Sequence, residues 1–132
     1  MSYRANDGRT YVDVSTNKTL TAADSGIVQN VIADGVTVTV PATINGAFFM
    51  IRNGGAAVSG GPAGTGANGT VGVTLTPNAS DGITGNGWSS AVGTSRTNTK
   101  ATSKIGDEIR VSGTGTTGAT GWFVENVVGT WA

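Results

Sequence analysis

Five consecutive residues, Val36-Thr37-Val38-Thr39-Val40, alternate valine with threonine without a break. A period of two puts the valines on one face of a β-strand and the threonines on the other. Pro41 ends that strand, because proline has no N–H to donate to a ladder. Val71-Gly72-Val73-Thr74-Leu75 alternates in the same way and is stopped by Pro77. The two units echo one another as similar strand-plus-stop segments, not as a solenoid repeat. Thr10–Val14, Thr19–Thr21, Ile27–Ala33, Ala47–Arg52, Glu108–Ser112 and Gly121–Val128 complete a set of about eight short strands. In Ala47–Arg52, Phe49 and Ile51 face one way and Phe48 and Met50 the other. Both faces are apolar, so this strand is expected at the centre of a sheet. Ile109 and Val111 are expected inward. Gly121–Val128 holds Trp122 and Val124 in phase, and Val127 only after a slip. Tyr11 is out of step with Val12 and Val14, which leaves the register of its strand open.

Turn signals punctuate these runs. Asp-Gly occurs at residues 7–8, 34–35 and 81–82, and Asn-Gly at 45–46, 53–54, 68–69 and 86–87. Both pairs tolerate the positive φ that two-residue hairpins require. Asp34-Gly35 lies between two β-rich runs and predicts a hairpin of Ile27–Ala33 with Val36–Val40. Ala22–Gly26 reads as a turn. Three longer loops are expected: the Gly-rich stretch Gly54–Gly69, the Ser/Thr/Asn-rich stretch Ser89–Ser103, and Gly113–Gly118.

Composition supports this picture and narrows it. Of 132 residues, 22 are Gly and 21 are Thr, together about a third. Leu, Ile, Val and Phe number 27; fifteen of these are Val and two are Leu. Val, Ile and Thr are stiff at χ1 and suit a pleated surface. The expected fold is therefore all-β: an antiparallel β-sandwich, jelly-roll-like, or a β-barrel of about eight short strands with long Gly-rich loops. Residues 1–18 are expected to form an N-terminal arm and first strand, and residues 19–132 a single β domain. The core is thin, which points to association with further subunits. There is no Cys and no His, so disulfides, thiol or imidazole catalysis and ordinary zinc, haem or iron–sulfur sites are not expected, and no cofactor is. Eight basic and eight acidic residues leave zero net charge, which argues against a nucleic-acid partner. Apolar runs of about five residues suit no membrane span, and the polar start has no apolar segment of the kind a secretory signal needs.

Candidate chemistry is sparse. Gly-x-Gly-x-x-Gly occurs at Gly64/Gly66/Gly69 and at Gly113/Gly115/Gly118, but each leads into a strand where a dinucleotide site needs a helix. Asp24, Asp34 and Asp81 sit at turns, and Asp107-Glu108 opens a strand, so a paired-carboxylate glycosidase is disfavoured. Ser103 and Lys104 are adjacent, and a strand would point them to opposite faces. No enzyme is expected. Trp122 alternates with Val124 and reads as core. Trp88, in Gly85-Asn86-Gly87-Trp88-Ser89-Ser90, covers the core edge or meets a partner, and Trp131 is expected to dock on its own domain or on a neighbour.

The run Leu20-Thr21-Ala22-Ala23-Asp24-Ser25-Gly26-Ile27-Val28-Gln29-Asn30-Val31-Ile32-Ala33-Asp34-Gly35, continuing through Val36–Thr43, resembles a family of small tailed-phage virion proteins. The resemblance resumes in Val73–Ala79, Gly82–Gly85, Asn98-Thr99-Lys100-Ala101-Thr102-Ser103-Lys104-Ile105-Gly106-Asp107-Glu108, Gly121–Val124 and Gly129–Ala132. Related β modules serve as capsid decoration (cement) proteins and as parts of phage fibres or spikes. The resemblance implies a cement protein: a homotrimer on the outer capsid surface of the virion, assembled in the host cytoplasm, that clamps subunits of the major capsid protein. The alternative is a tail fibre or spike part, or a glycan- or receptor-binding β module using Trp88 and the Gly-rich loops. Under the first reading Tyr3 and Arg4 belong to an arm that orders on the capsid, and the candidate capsid or subunit interface is Tyr3, Arg4, Tyr11, Trp88 and Trp131.

Overall fold

The computed structural model describes residues 2–4, 8–55, 71–88 and 91–132. Most of the Gly-rich stretch Gly54–Gly69 therefore lies outside the described residues, as do Ser89 and Ser90.

The all-β expectation holds. Among the described residues there are eleven strands: β1 (Ser2–Arg4), β2 (Thr10–Val14), β3 (Lys18–Thr19), β4 (Ile27–Val31), β5 (Val36–Thr39), β6 (Phe48–Asn53), β7 (Val73–Thr76), β8 (Ile83–Thr84), β9 (Arg96–Asn98), β10 (Glu108–Gly113) and β11 (Trp122–Val128). A single 3-10 turn spans Ala22–Asp24, where Asp24 caps Thr21. Each of the eight expected strands appears within one or two residues of its expected place. The three unexpected ones, β1, β8 and β9, are two or three residues long, too short to show an alternation.

The strands form a seven-stranded sheet in the order β1-β2-β4-β6-β10-β11-β8 and a four-stranded sheet in the order β3-β5-β7-β9. Both are mixed, which corrects the antiparallel expectation. β2, β4 and β6 are parallel neighbours, and so are β3, β5 and β7. Between β2 and β7 every connection crosses from one sheet to the other, so the chain winds as a coil through three successive passes. The echo between the two Val/Thr units is the visible trace of this winding. β5 and β7 lie side by side, with Val36 opposite Val73 and Val38 opposite Leu75. Antiparallel pairing returns at the far side of the large sheet, where β10 lies between β6 and β11.

The same winding overturns the hairpin expected at Asp34-Gly35. β4 and β5 do not pair; they belong to different sheets. Both belong to one core: Val31 from β4 and Val36 and Val38 from β5 share the same buried cluster. The turn still has the positive φ expected of Gly35, at 77°. Its polar groups bind the coil alongside instead of closing a ladder: Gly35 N–H donates to Gly72 O at 3.0 Å and Gly72 N–H to Asp34 Oδ1 at 2.8 Å.

The core lies between the sheets. From the large sheet come Val14, Val31, Phe49, Ile51, Ile109, Val111 and Trp122; from the small one come Val36, Val38, Val73 and Leu75. Phe49 packs against Trp122 with ring centroids 5.3 Å apart. β6 is the fourth strand of seven, the central position its two apolar faces demanded. The slip before Val127 is a β-bulge: Arg110 pairs with Asn126 and Val111 with Val124, leaving Glu125 as the extra residue. Threonines 37, 39, 74, 76 and 97 are half-buried on the small sheet, the first four in phase opposite its buried Val and Leu.

The expected boundary at residues 18 and 19 falls inside β3. β2 pairs with β4 over five residue pairs, and β1 pairs with β2, so both strands belong to the large sheet. This topology predicts a cross-linking result in a chain without native cysteine. In the Thr37→Cys/Thr74→Cys double variant the two sites are direct parallel neighbours, so it should form a disulfide under mild oxidation. The Ile32→Cys/Thr37→Cys pair, which a hairpin would place opposite one another, should stay reduced. Electrophoresis without reductant after tryptic cleavage at Arg52 reads the first pair, and thiol alkylation followed by mass measurement reads the second, whose two sites share one tryptic peptide.

Candidate interaction surface

The two ends of the sandwich are closed by buried polar side chains, and this decides what remains available on the surface. At one end Asn98 Nδ2 donates to Asp107 Oδ2 and to Thr130 O, both at 2.9 Å, and Asn53 Nδ2 donates to Asn98 Oδ1 at 2.8 Å. Asp107 Oδ2 also accepts the Lys104 backbone N–H at 2.9 Å, and Asn53 Oδ1 accepts that of Gly55. Asn53, Asn98 and Asp107 are all buried. Ser103 completes this end, its hydroxyl donating to Val71 O at 2.7 Å. At the other end the buried Asp81 accepts the backbone N–H groups of Thr43 and Gly118 at 2.9 and 3.0 Å. Asp81 and Asp107, read from sequence as turn and strand-opening residues, therefore terminate backbone that would otherwise be orphaned. Ser103 and Lys104 diverge as expected, with Ser103 buried and Lys104 exposed.

The second Gly-x-Gly-x-x-Gly leads into β11, a strand, as expected. Its first glycine has a packing reason: a Cβ on Gly113 would collide with the carbonyl of Ile44.

The outer face of the large sheet is the surface with distinctive chemistry. In register across it run Tyr11, Val28, Met50 and Arg110, and beside that row Asp13, Asn30, Arg52, Glu108 and Val128. Tyr11, Val28 and Met50 form a second, smaller apolar cluster with Phe48 against it. Two guanidiniums flank Tyr11. Arg9 and Arg52 each donate to its hydroxyl at 2.7 Å, and each guanidinium carbon lies 5.3 Å from the ring centroid. Arg9 also makes a forked pair with Glu108, at 3.0 and 3.2 Å, and Arg110 Nε donates to the same carboxylate at 3.1 Å. Beyond these, on β11, Phe123 and Val128 are 44% and 48% exposed. The hydroxyl of Ser112, which faces Phe48 and Phe123 in register, is bonded to Glu125 on the bulge. Aromatic, Met and Arg groups set among few free carboxylates are the residue mixture that interface centres favour.

The sequence-derived candidates fare differently. Tyr3 and Arg4 lie on β1, with Tyr3 opposite Tyr11 and Arg4 opposite Thr10 at the border of the large sheet. Tyr11 faces outward but is only 3% exposed, so it positions arginines instead of offering area to a partner. Trp131 is buried in the chain's own core and its Nε1 donates to Val128 O at 3.2 Å. The C-terminus is held there by paired backbone bonds between Thr97 and Ala132 at 2.8 and 3.0 Å. Of the two docking places expected for Trp131, its own domain is the one it takes. Trp88 is half-buried against the core, and Arg96 stacks on its ring at 4.3 Å. Phe48, Arg52, Arg110, Phe123 and Val128 were missed as candidates. The outward phase of Phe48 was legible, and Phe123 alternates with Trp122 and Val124.

No protein family matches the chain, and no curated protein matches it in sequence. Among the described residues there is no group of three or more acidic side chains placed to hold a metal ion, and no helix is long and apolar enough to cross a membrane.

Two stability tests follow from these contacts. Lys100 Nζ, 2.9 Å from Asp34 Oδ2, and the Gly72 amide hold the Asp34 carboxyl below its ordinary value of 3.8. A depressed folded-state value contributes stability that is present above the unfolded value and is lost as pH falls through the folded one. Asp34→Asn should therefore flatten the loss of melting temperature below about pH 4 while changing it little at pH 7, since exposed pairs contribute little. Tyr11→Phe removes the acceptor shared by two guanidiniums and should cost about 1–3 kcal/mol in urea unfolding.

Proposed function

We propose that this chain is a structural virion protein, a decoration (cement) protein that binds the outside of a phage head and stabilises contacts between major capsid protein subunits. The observation that carries the reading is the outer face of the large sheet, where Phe123 and Val128 stand exposed beside Arg52, Arg110 and half-buried Phe48. The resemblance of residues 20–43 and 98–108 to small phage virion proteins gives the reading its biological setting. A binder of this kind acts by mass action: it attaches to the assembled lattice and not to separated subunits, and so shifts the equilibrium toward assembly. It needs a rigid body and a preformed face. The bonds at the two ends of the sandwich support the first, and the Tyr11–Arg9–Arg52–Glu108 contacts support the second. A homotrimer spanning three neighbouring capsid subunits suits the thin core. Arg and aromatic groups would contribute most of the affinity.

The rival reading, a glycan- or receptor-binding module at Trp88, has less support, because Arg96 already occupies one face of that ring. The test is co-sedimentation of the purified protein with undecorated heads of the phage that encodes it. Wild type should pellet with heads and raise their resistance to heat. Phe123→Asp should weaken binding tenfold or more, by about 1.4 kcal/mol or more, with unchanged melting temperature. Trp88→Ala should leave head binding intact. No binding to heads, together with glycan-array binding that Trp88→Ala abolishes, would replace this reading with its rival.

A further inference from the structure

Asparagine followed by glycine carries a latent reaction, because the glycine nitrogen has no neighbouring side chain to block its approach to the asparagine amide. Three Asn-Gly pairs lie among the described residues, and the fold treats them differently. Asn53 is buried, its side-chain amide is held by Val71 O and Asn98, and the Gly54 N–H donates to Val31 O at 2.7 Å. At Asn45 the Gly46 N–H donates to Gly113 O at 3.0 Å. Both nucleophilic nitrogens are tied up. Asn86 and Gly87 are both exposed, at the tip of a four-residue turn closed by Trp88 N–H to Gly85 O at 3.0 Å. Among the described residues Gly87 N–H finds no acceptor, and a Cβ on Gly87 would meet nothing within 4 Å. Asn86 holds φ 55°, and among the described residues it is the single non-glycine with positive φ, a conformation that stores strain.

We propose that Asn86 is a site of spontaneous covalent modification. The Gly87 N–H gives its proton to solvent hydroxide, and the nitrogen bonds to Asn86 Cγ. The Cγ–Nδ2 bond breaks, and the departing nitrogen takes a proton from water to leave as ammonia, which restores the hydroxide. Water then opens the resulting succinimide at one carbonyl or the other, giving aspartate or isoaspartate. No oxidant or reductant takes part. The product adds one negative charge to a chain of zero formal net charge. The isoaspartate form also inserts one backbone atom into the Gly85–Trp88 turn. That lengthening breaks the bridge between Gly85 and Trp88 and loosens the indole from Arg96. The turn thus records the age of the folded protein at the edge of its core.

The experiment is incubation of the full chain at mildly alkaline pH and 37 °C, sampled over days by peptide mapping with detection of isoaspartate, in buffer and in urea. In buffer, Asn86 should convert about tenfold or more faster than Asn45 and Asn53, because their glycine amides are released only by local opening. In urea the three rates should converge. Retention of the Asn86 amide as long as that of Asn53 in buffer would overturn the proposal, and so would earlier conversion of Asn45. Asn68-Gly69 is a fourth such pair and is followed separately in the peptide map. In a chain that already carries Asn68→Gln, the further change Asn86→Gln should remove the early acidic species on isoelectric focusing, and its persistence there would overturn the proposal.

Discussion

A chain that changes sheets at successive connections must bury backbone at both ends of its sandwich, and this constraint organises the whole molecule. Each crossing leaves N–H and C=O groups that no ladder can pair, and an unpaired buried group costs about 1–3 kcal/mol. Here the cost is met by a few side chains placed where several crossings converge. Asp107, Asn98 and Asn53 bind one another and the backbone of Lys104, Gly55, Val71 and Thr130. Asp81 gathers Thr43 and Gly118 at the other end. These contacts join strands of both sheets to the C-terminal residues, so the coil is closed by side chains as well as by its ladders.

The hydrophobic contribution takes its form from the same winding. With only two leucines the core is built mainly from valine and isoleucine, and in the small sheet Val36 lies on Val73 and Val38 on Leu75 in register. Phe49, Ile51, Ile109 and Trp122 face them from the large one. The outer face of the large sheet carries a second apolar cluster roofed by arginines. A sheet with both faces partly apolar is what the central strands encode, since β4 is buried at Val28, Gln29, Asn30 and Val31 alike. One face makes the sandwich, and the other provides the surface to which an interaction is assigned.

What the residue pattern revealed depended on distance along the chain. Strands Val36–Thr39, Phe48–Asn53 and Trp122–Val128 were legible because alternation is a local property, and the bulge at Glu125 was legible as a slip in that alternation. The partner of each strand was not. Asp34-Gly35 carries the local chemistry of a hairpin, yet the flanking strands find their partners one coil away, and no residue within the turn encodes that choice. The candidate surface was half legible for the same reason. Tyr11 and Trp131 were conspicuous as residue types, but burial within the chain's own fold is a tertiary property. Phe48 and Phe123 come to flank Ser112 only through the pairing of β10 with β6 and β11.

The buried Asp107–Asn98–Asn53 chain binds the two sheets into one cooperative unit. Native-state hydrogen exchange of the Lys104, Gly106 and Asn53 amides, beside that of Val111 in the middle of β10, tests it directly. If the claim holds, all four exchange only through global unfolding, with one opening free energy and one urea dependence. Rapid exchange of Lys104 and Gly106 through urea-independent local opening, while Val111 stays protected, would contradict it.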